Sequence, residues 1–281
     1  MKTITKEELT MYQFPVGAML ESFKLPFQEA VETAAKIGAQ GLQIYMSKPT
    51  ITYYADLNEK KIRELLDMIK SNGLVVSAIC GDFKLGFSNP ETNPMQIERS
   101  KRVLDLAKYF EADIVTTHIG TVPTDKNDPA YAIMQEACAE LGNYADSIGS
   151  SFAIETGPET AVVLREFLDS LGSKKGMAVN LDPANLVMDM NDDPVQAVYT
   201  LKDYIVHTHA KDGIHFDVPV NGKPGKEMAL GTGAVDFPRY LAALEEIGYR
   251  GFLTIEREAG ENPVANITEA VKYLKKVTKE C

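Results

Sequence analysis

Short apolar, β-branched runs alternate with longer stretches of helical spacing along the chain. Residues 14–20 read as a weak first strand. Residues 26–37 then place Phe27, Ala30, Val31, Ala34 and Ala35 at helical intervals, and Gly38 stands where a helix C-terminus ends in a left-handed turn. The same logic predicts strands over 41–46 (GLQIYM), 74–80 (LVVSAIC), 113–117, 151–155 (SFAIE), 177–181 (MAVNL), 204–209 (YIVHTH) and 251–256 (GFLTIE). Between them it predicts helices over 58–72, 94–110, 129–148, 160–171, 194–201 and 237–247, with a last one over 263–278 that opens on Pro263.

Strict alternation requires parallel strands joined by right-handed helical crossovers. Eight βα units in roughly 260 residues are the size of a closed (β/α)8 barrel. The competitor is an open doubly wound sheet, whose first βα turn would often carry a glycine-rich phosphate loop. Met19-Leu20-Glu21-Ser22 is not one. No linker divides the chain, so the expected fold class is α/β, one TIM-barrel domain over 1–281. The longest gap, 212–236, is glycine-rich and is expected to be a functional loop.

Composition narrows the function. The hydrophobic share of 44% and charged share of 25% describe a soluble globular protein. A net charge of −11 argues against nucleic acid and anionic lipid as partners, while leaving room for a local positive pocket. Cys80, Cys138 and Cys281 are far apart with no metal spacing, which points to free thiols in a reducing cytoplasm. Cys80 and Cys138 are expected in the core and Cys281 at the exposed terminus. Residues 1–15 lack the apolar segment of a signal peptide, and no run of 18 apolar residues exists to span a membrane.

The chemistry collects at the C-terminal strand ends, the active-site face of such a barrel. The fifth to eighth strands end at Glu155, Asp182, His209 and Glu256, and the fourth runs into His118. One imidazole among three carboxylates suits Mn²⁺, Mg²⁺ or Co²⁺ better than a thiolate-rich zinc site would. Each residue also has a plain structural role open to it. Asp182 or Glu155 could cap the next helix. His207 and His209 alternate along one strand, and one of them could be a satisfied core histidine. Four such groups fall on one rim, each behind an apolar run, and the three carboxylates among them would repel one another without a cation. His118 could meet substrate, bond to a ligand or cap its strand. Lys211 could reach substrate or sit in a solvated turn, and Arg257 and Glu258 could pair at the surface. Tyr45, Asp82, Phe83 and Phe87 could wall the pocket or pack beneath loops.

FAIETGPE (152–159), NLDPANL (180–186), HTHAKD (207–212), LGTG (230–233) and GYRGFLTIERE (248–258) together resemble the xylose isomerase-like superfamily, and within it the sugar phosphate isomerase/epimerase branch. GDFKLGF (81–87) and THIG (117–120) fit as well. The resemblance implies one divalent ion, often Mn²⁺, Mg²⁺, Co²⁺ or Zn²⁺, on Glu155, Asp182, His209 and Glu256. It implies that Glu155 and Glu256 are also the catalytic acid/base pair, as in ketose 3-epimerase relatives. Many relatives have Asp-x-x-His after the sixth strand; here the motif is Asp182-Pro183-Ala184-Asn185, and Asn185 does not titrate near neutrality. Four histidines are too few for the three zinc ions of the abasic-site endonuclease relatives.

The expected activity is therefore isomerisation or epimerisation of a keto-sugar or related polyol through a metal-stabilised enediolate. A metal-dependent lyase or dehydratase on a keto-cyclitol or keto-glycoside, as in inosose dehydratase relatives, is the alternative. A hydrolase and a non-catalytic sugar-binding barrel stand behind both. His118, Asn185, Lys211, Glu258 and Asp82 are the expected substrate contacts. No phosphate-binding signature is evident, although the LGTG segment could hold an anion, so the preferred substrate is an unphosphorylated or lightly anionic sugar or cyclitol. Relatives are often dimers or tetramers, and a homo-oligomer is left open by the residues.

Overall fold

A computed structural model describes residues 14–172 and 175–280; Cys281 and most of the segment before Pro15 lie outside them. The barrel strands are β1 (Val16–Met19), β2 (Gly41–Tyr45), β3 (Val75–Cys80), β4 (Ile114–Thr117), β5 (Ser151–Glu155), β6 (Met177–Leu181) and β7 (Ile205–Ala210). A hairpin of β8 (Asp212–Val220) and β9 (Lys223–Met228) follows, and β10 (Leu253–Ile255) completes the barrel. The eight barrel strands are parallel and close in the order β1-β10-β7-β6-β5-β4-β3-β2. This is the TIM-barrel fold that the alternating pattern predicts.

Around it run α1 (Phe27–Ile37), α2 (Glu59–Ser71), α3 (Asn93–Tyr109), α4 (Pro129–Ser147) and α5 (Ala161–Asp169). The three-residue α6 (Pro183–Asn185) is followed by α7 (Pro194–Leu201), α8 (Phe237–Glu246) and α9 (Pro263–Glu280). Local chemistry sets their ends. Asn58 accepts the Lys61 N–H at the start of α2, and Thr160 accepts the Val163 N–H at the start of α5. Gly38 ends α1 with φ of 90°, a conformation that glycine adopts without steric cost. α2 shows what holds the outer layer on: Ile62, Leu65, Leu66 and Ile69 are buried, each stabilising by roughly 1.5–3 kcal/mol relative to exposure. Cys80 and Cys138 are both buried and free.

Two segments depart from the expected pattern. After β6 the chain forms α6 and then a π-helical turn, Leu186–Met190, instead of running straight to the next helix. The expected loop over 212–236 contains the β8–β9 hairpin. Asn221 and Gly222 form its tip with φ of 52° and 74°, the pair of left-handed residues that a tight two-residue hairpin requires. The hairpin does not wave free. It lies on the π turn so closely that a Cβ at Gly225 would stand 2.7 Å from Met188 backbone atoms.

Part of the barrel interior is polar, and this positions the site above it. Gln43, Thr116, Asn180, His207 and Thr254 are all buried. Gln43 Nε2 donates to Thr116 Oγ1 at 2.8 Å. His207 Nδ1 meets Asn180 Oδ1 at 2.8 Å, and the Thr254 hydroxyl meets His207 Nε2 at 2.9 Å. Burial, with the nearby His209 charge, pushes His207 down to about 3, so it stays neutral. His207 is thus the satisfied core histidine of the HTH pair.

Candidate metal centre

Glu155 stands at the end of β5, Asp182 follows β6, His209 lies on β7 and Glu256 follows β10. Parallel strands in register therefore deliver all four to one rim. Each offers a ligand-type atom, and these atoms lie within 4.8 Å of one another. His209 Nδ1 is 3.3 Å from Asp182 Oδ2 and 3.5 Å from both Glu155 Oε1 and Glu256 Oε2. All four side chains are buried.

The other ring nitrogen explains the orientation. His209 Nε2 lies 2.9 Å from Gln43 Oε1, whose amide is turned by its bond to Thr116. That oxygen only accepts, so Nε2 carries the hydrogen and the lone pair of a neutral ring points from Nδ1 into the carboxylates. The Asn180 amide is farther from Nε2, at 3.2 Å, and its second neighbour is Glu155 Oε2 at 3.4 Å. Asp182 divides its two oxygens. Oδ1 accepts the Ala184 and Asn185 N–H groups and caps α6, while Oδ2 faces His209. Capping and facing the cluster are therefore not alternatives for this residue.

The field at this point asks for positive charge. Burial opposes protonation of His209, yet the Glu155 and Glu256 charges hold it well above its ordinary value. Lys211 is likewise pushed down by burial but held up more strongly by Glu256, Asp182 and Glu258. Burial raises Glu155 as well, but His118 and His209 outweigh that and hold it low. Glu256 goes the other way: burial raises it, and Lys211 and His209 offset only part. Three buried carboxylate side chains around one imidazole lone pair fit a hard divalent cation.

The expected substrate contacts also gather here. Lys211 Nζ bridges Glu256 Oε2 at 2.8 Å and Glu258 Oε2 at 2.9 Å, buried rather than in a solvated turn. Asn185 turns Nδ2 to Glu155 Oε1 at 3.0 Å and Oδ1 toward Lys211 at 3.5 Å. His118 stands between Asp82 Oδ2 at 3.2 Å and Glu155 Oε1 at 3.6 Å. Glu155 and Asp82 raise it to about 9 against the effect of burial. Tyr45 joins Met19 and Cys80 in a small apolar cluster separate from the main core. Phe83 and Phe87 meet Tyr54 and Phe152 edge to face. Arg257 pairs with Glu227 and so ties β9 to the segment after β10.

The LGTG segment is an anion cradle whose anion is the protein's own. Asp212 accepts N–H bonds from Gly213, Gly231, Gly233 and Val235 at 2.8–3.1 Å. A Cβ at Gly233 would lie 2.2 Å from Asp212 Oδ1, so glycine is needed for the close approach. These donors are spent on Asp212. Sequence reasoning passed over Gln43 and Asn180, because strand periodicity marks which side chains face inward but not that two of them are polar partners of a rim residue. It also passed over the Asn221-Gly222 hairpin signal. Beside the cluster opens a cavity of about 770 Å³, lined by Asn185, Met188, Asp189 and Lys211 and by the hairpin residues Lys223–Glu227.

The sequence profile of the xylose isomerase-like TIM barrel family matches residues 31–277. The chain belongs to that family. Among curated relatives, an uncharacterized protein of Methanocaldococcus jannaschii is 25% identical over 242 residues, 81% of this chain and 76% of that one. Inosose dehydratase of Lacticaseibacillus casei is 26% identical over 151 residues, 48% of this chain and 50% of the dehydratase. Among solved structures, a xylose isomerase domain protein from Planctomyces limnophilus superposes with a TM-score of 0.81 at 26% identity, covering 95% of this chain and 98% of that one. A xylose isomerase-like protein from Mycobacterium smegmatis, solved in complex with magnesium, gives 0.76 at 18% identity, with 96% and 98% covered. A D-tagatose 3-epimerase-like protein gives 0.74 at 20% identity, with 94% and 98% covered. Epimerases and a dehydratase thus both occur among the proteins this family member resembles.

Proposed function

We propose that the chain is an isomerase or epimerase of a keto-sugar or related polyol. It works with one divalent ion, Mn²⁺, Mg²⁺, Co²⁺ or Zn²⁺, on Glu155, Asp182, His209 and Glu256. The supporting observation is the convergence of these four side chains within 4.8 Å. When bound, such an ion polarises a substrate carbonyl and offsets the negative charge of an enediolate. The magnesium complex of the Mycobacterium smegmatis relative and the epimerase-like neighbour support this reading.

The protein side of the chemistry falls to two of these carboxylates, Glu155 and Glu256. Glu155, held ionised, takes the proton from the carbon next to the carbonyl. Glu256, hydrogen-bonded to the Lys211 ammonium, returns one from the other face. Asn185 and Lys211 orient substrate oxygens between them, and His118, held by Asp82, does so on the Glu155 side. Glu258 holds Lys211 in place.

A lyase reading shares the site. The inosose dehydratase match favours it, as does the ammonium of Lys211, which could protonate a departing hydroxyl. Product analysis in D₂O separates the two. Deuterium gained beside the carbonyl with the formula otherwise unchanged marks epimerisation, and loss of water marks dehydration. Glu155→Gln and Glu256→Gln should each lower turnover on a ketose or inosose substrate by about 10²–10⁴-fold with the fold intact. Turnover retained in either variant would refute the acid/base assignment. The free thiols of Cys80 and Cys138 support a cytoplasmic setting, and among the described residues no helix is long and apolar enough to cross a membrane.

A further inference from the structure

We propose that the outer part of the cavity beside the cluster is an anion subsite. There Lys223 and Lys226 of β9 receive a carboxylate or phosphate carried by the substrate on carbons remote from Glu155 and Glu256. The inference rests on the keto-sugar reading and narrows it to an anionic keto-sugar.

The cavity, about 770 Å³, begins at Asn185 and Lys211 beside the cluster and ends at Lys223, Pro224 and Lys226 on the hairpin. Pockets of several hundred Å³ take small-molecule ligands whole. The space therefore holds more than the few atoms that reach the carboxylates. Two of the three acids lining it are committed elsewhere. Glu258 is bonded to Lys211. Glu227 is paired with Arg257 and accepts the Glu258 and Ala259 N–H groups. Asp189, the third, is exposed on the π turn, and partial desolvation raises it, so the lysines outnumber the one uncommitted carboxylate two to one.

Lys223 and Lys226 are exposed and, among the described residues, neither has a carboxylate within 4.0 Å. In a chain of net charge −11, two uncommitted cations on the wall of the cavity that adjoins the cluster run against the average field. The wall is also fixed. Gly225, between the two lysines, abuts Met188, and the Arg257–Glu227 pair clamps the same strand to the segment after β10. The strand that carries the lysines therefore sits at a set distance from Asn185 and Lys211, as a subsite for one end of a ligand requires.

The test uses one ketose in three forms: D-fructose, D-fructose 6-phosphate and the 6-carboxylate analogue. Each is titrated calorimetrically into the full chain with Mn²⁺ present, at low and high salt, and into Lys223→Gln/Lys226→Gln. At least one charged form should bind about tenfold or more tightly than fructose, and the gain should shrink as salt rises. The double variant should lose that gain and keep its affinity for fructose. Which charged form gains identifies carboxylate or phosphate as the natural group. If fructose binds and neither charged form gains, or the gain survives in the double variant, the subsite is overturned and the keto-sugar reading stands. If none of the three binds, the keto-sugar reading falls and the subsite falls with it.

Discussion

Replacing Gln43 with Leu removes the acceptor of the His209 Nε2 hydrogen without touching any of the four rim residues. The bond is 2.9 Å long and both partners are fully buried, so no water takes its place. The ring then has no reason to keep its hydrogen on Nε2. In the neutral ring that a cation needs, three carboxylate oxygens at 3.3–3.5 Å then favour the tautomer with its hydrogen on Nδ1, which covers the lone pair. Loss of such an outer partner lowers metal affinity by about 10–100-fold. That corresponds to about 1.4–2.7 kcal/mol. A buried donor left unpaired costs about 1–3 kcal/mol of stability as well. Mn²⁺ titration against a competing chelator reads the first effect, and urea unfolding reads the second. Gln43→Glu keeps an acceptor facing Nε2 and should hold affinity near the wild-type level. Wild-type affinity in Gln43→Leu, or equal weakening in Gln43→Glu, would show that Gln43 does not set the ring.

Elemental analysis of the protein should find about one divalent ion per chain, reduced in Glu256→Gln; two or three ions would favour a hydrolase instead. Glu159 is buried, its Oε2 accepts the Val122 N–H at 3.1 Å, and burial pushes it from 4.5 up to about 7. A raised acid contributes fully below pH 4.5 and loses that contribution as pH rises through 7. Glu159→Gln, which keeps a carbonyl acceptor for Val122, should match the wild type near pH 4 and exceed it by about 3 kcal/mol at pH 8. A gap independent of pH in urea melts would contradict this. Asp212→Ala strips four backbone N–H groups of their acceptor and should lose about 3 kcal/mol or more, with Asp212→Asn losing less. Equal unfolding midpoints for Asp212→Ala and wild type would sink that account.

The barrel was legible in the chain because its signals are local. Apolar runs of strand length, helical spacing between them, and a cap such as Gly38 each act within a few residues. The rim residues were legible for a related reason. In parallel strands that close on themselves, a strand end is a spatial address, so Glu155, Asp182, His209 and Glu256 could be placed together from their order alone. The β8–β9 hairpin was legible too, in Asn221-Gly222, but a glycine-rich stretch masked it.

What the tertiary structure alone decided is how each polar atom is used. Burial makes an unpaired donor or acceptor costly, so its role depends on partners that lie far along the chain. Gln43 meets His209 across 166 positions, while His207, kept neutral by burial and the His209 charge, bonds to Asn180 and Thr254. The LGTG glycines bind Asp212, while Lys223 and Lys226, unremarkable in sequence, line the cavity beside the cluster. Order along the chain sets which residues reach the rim; long-range pairing in a dry interior sets their protonation, their orientation and which charges remain free.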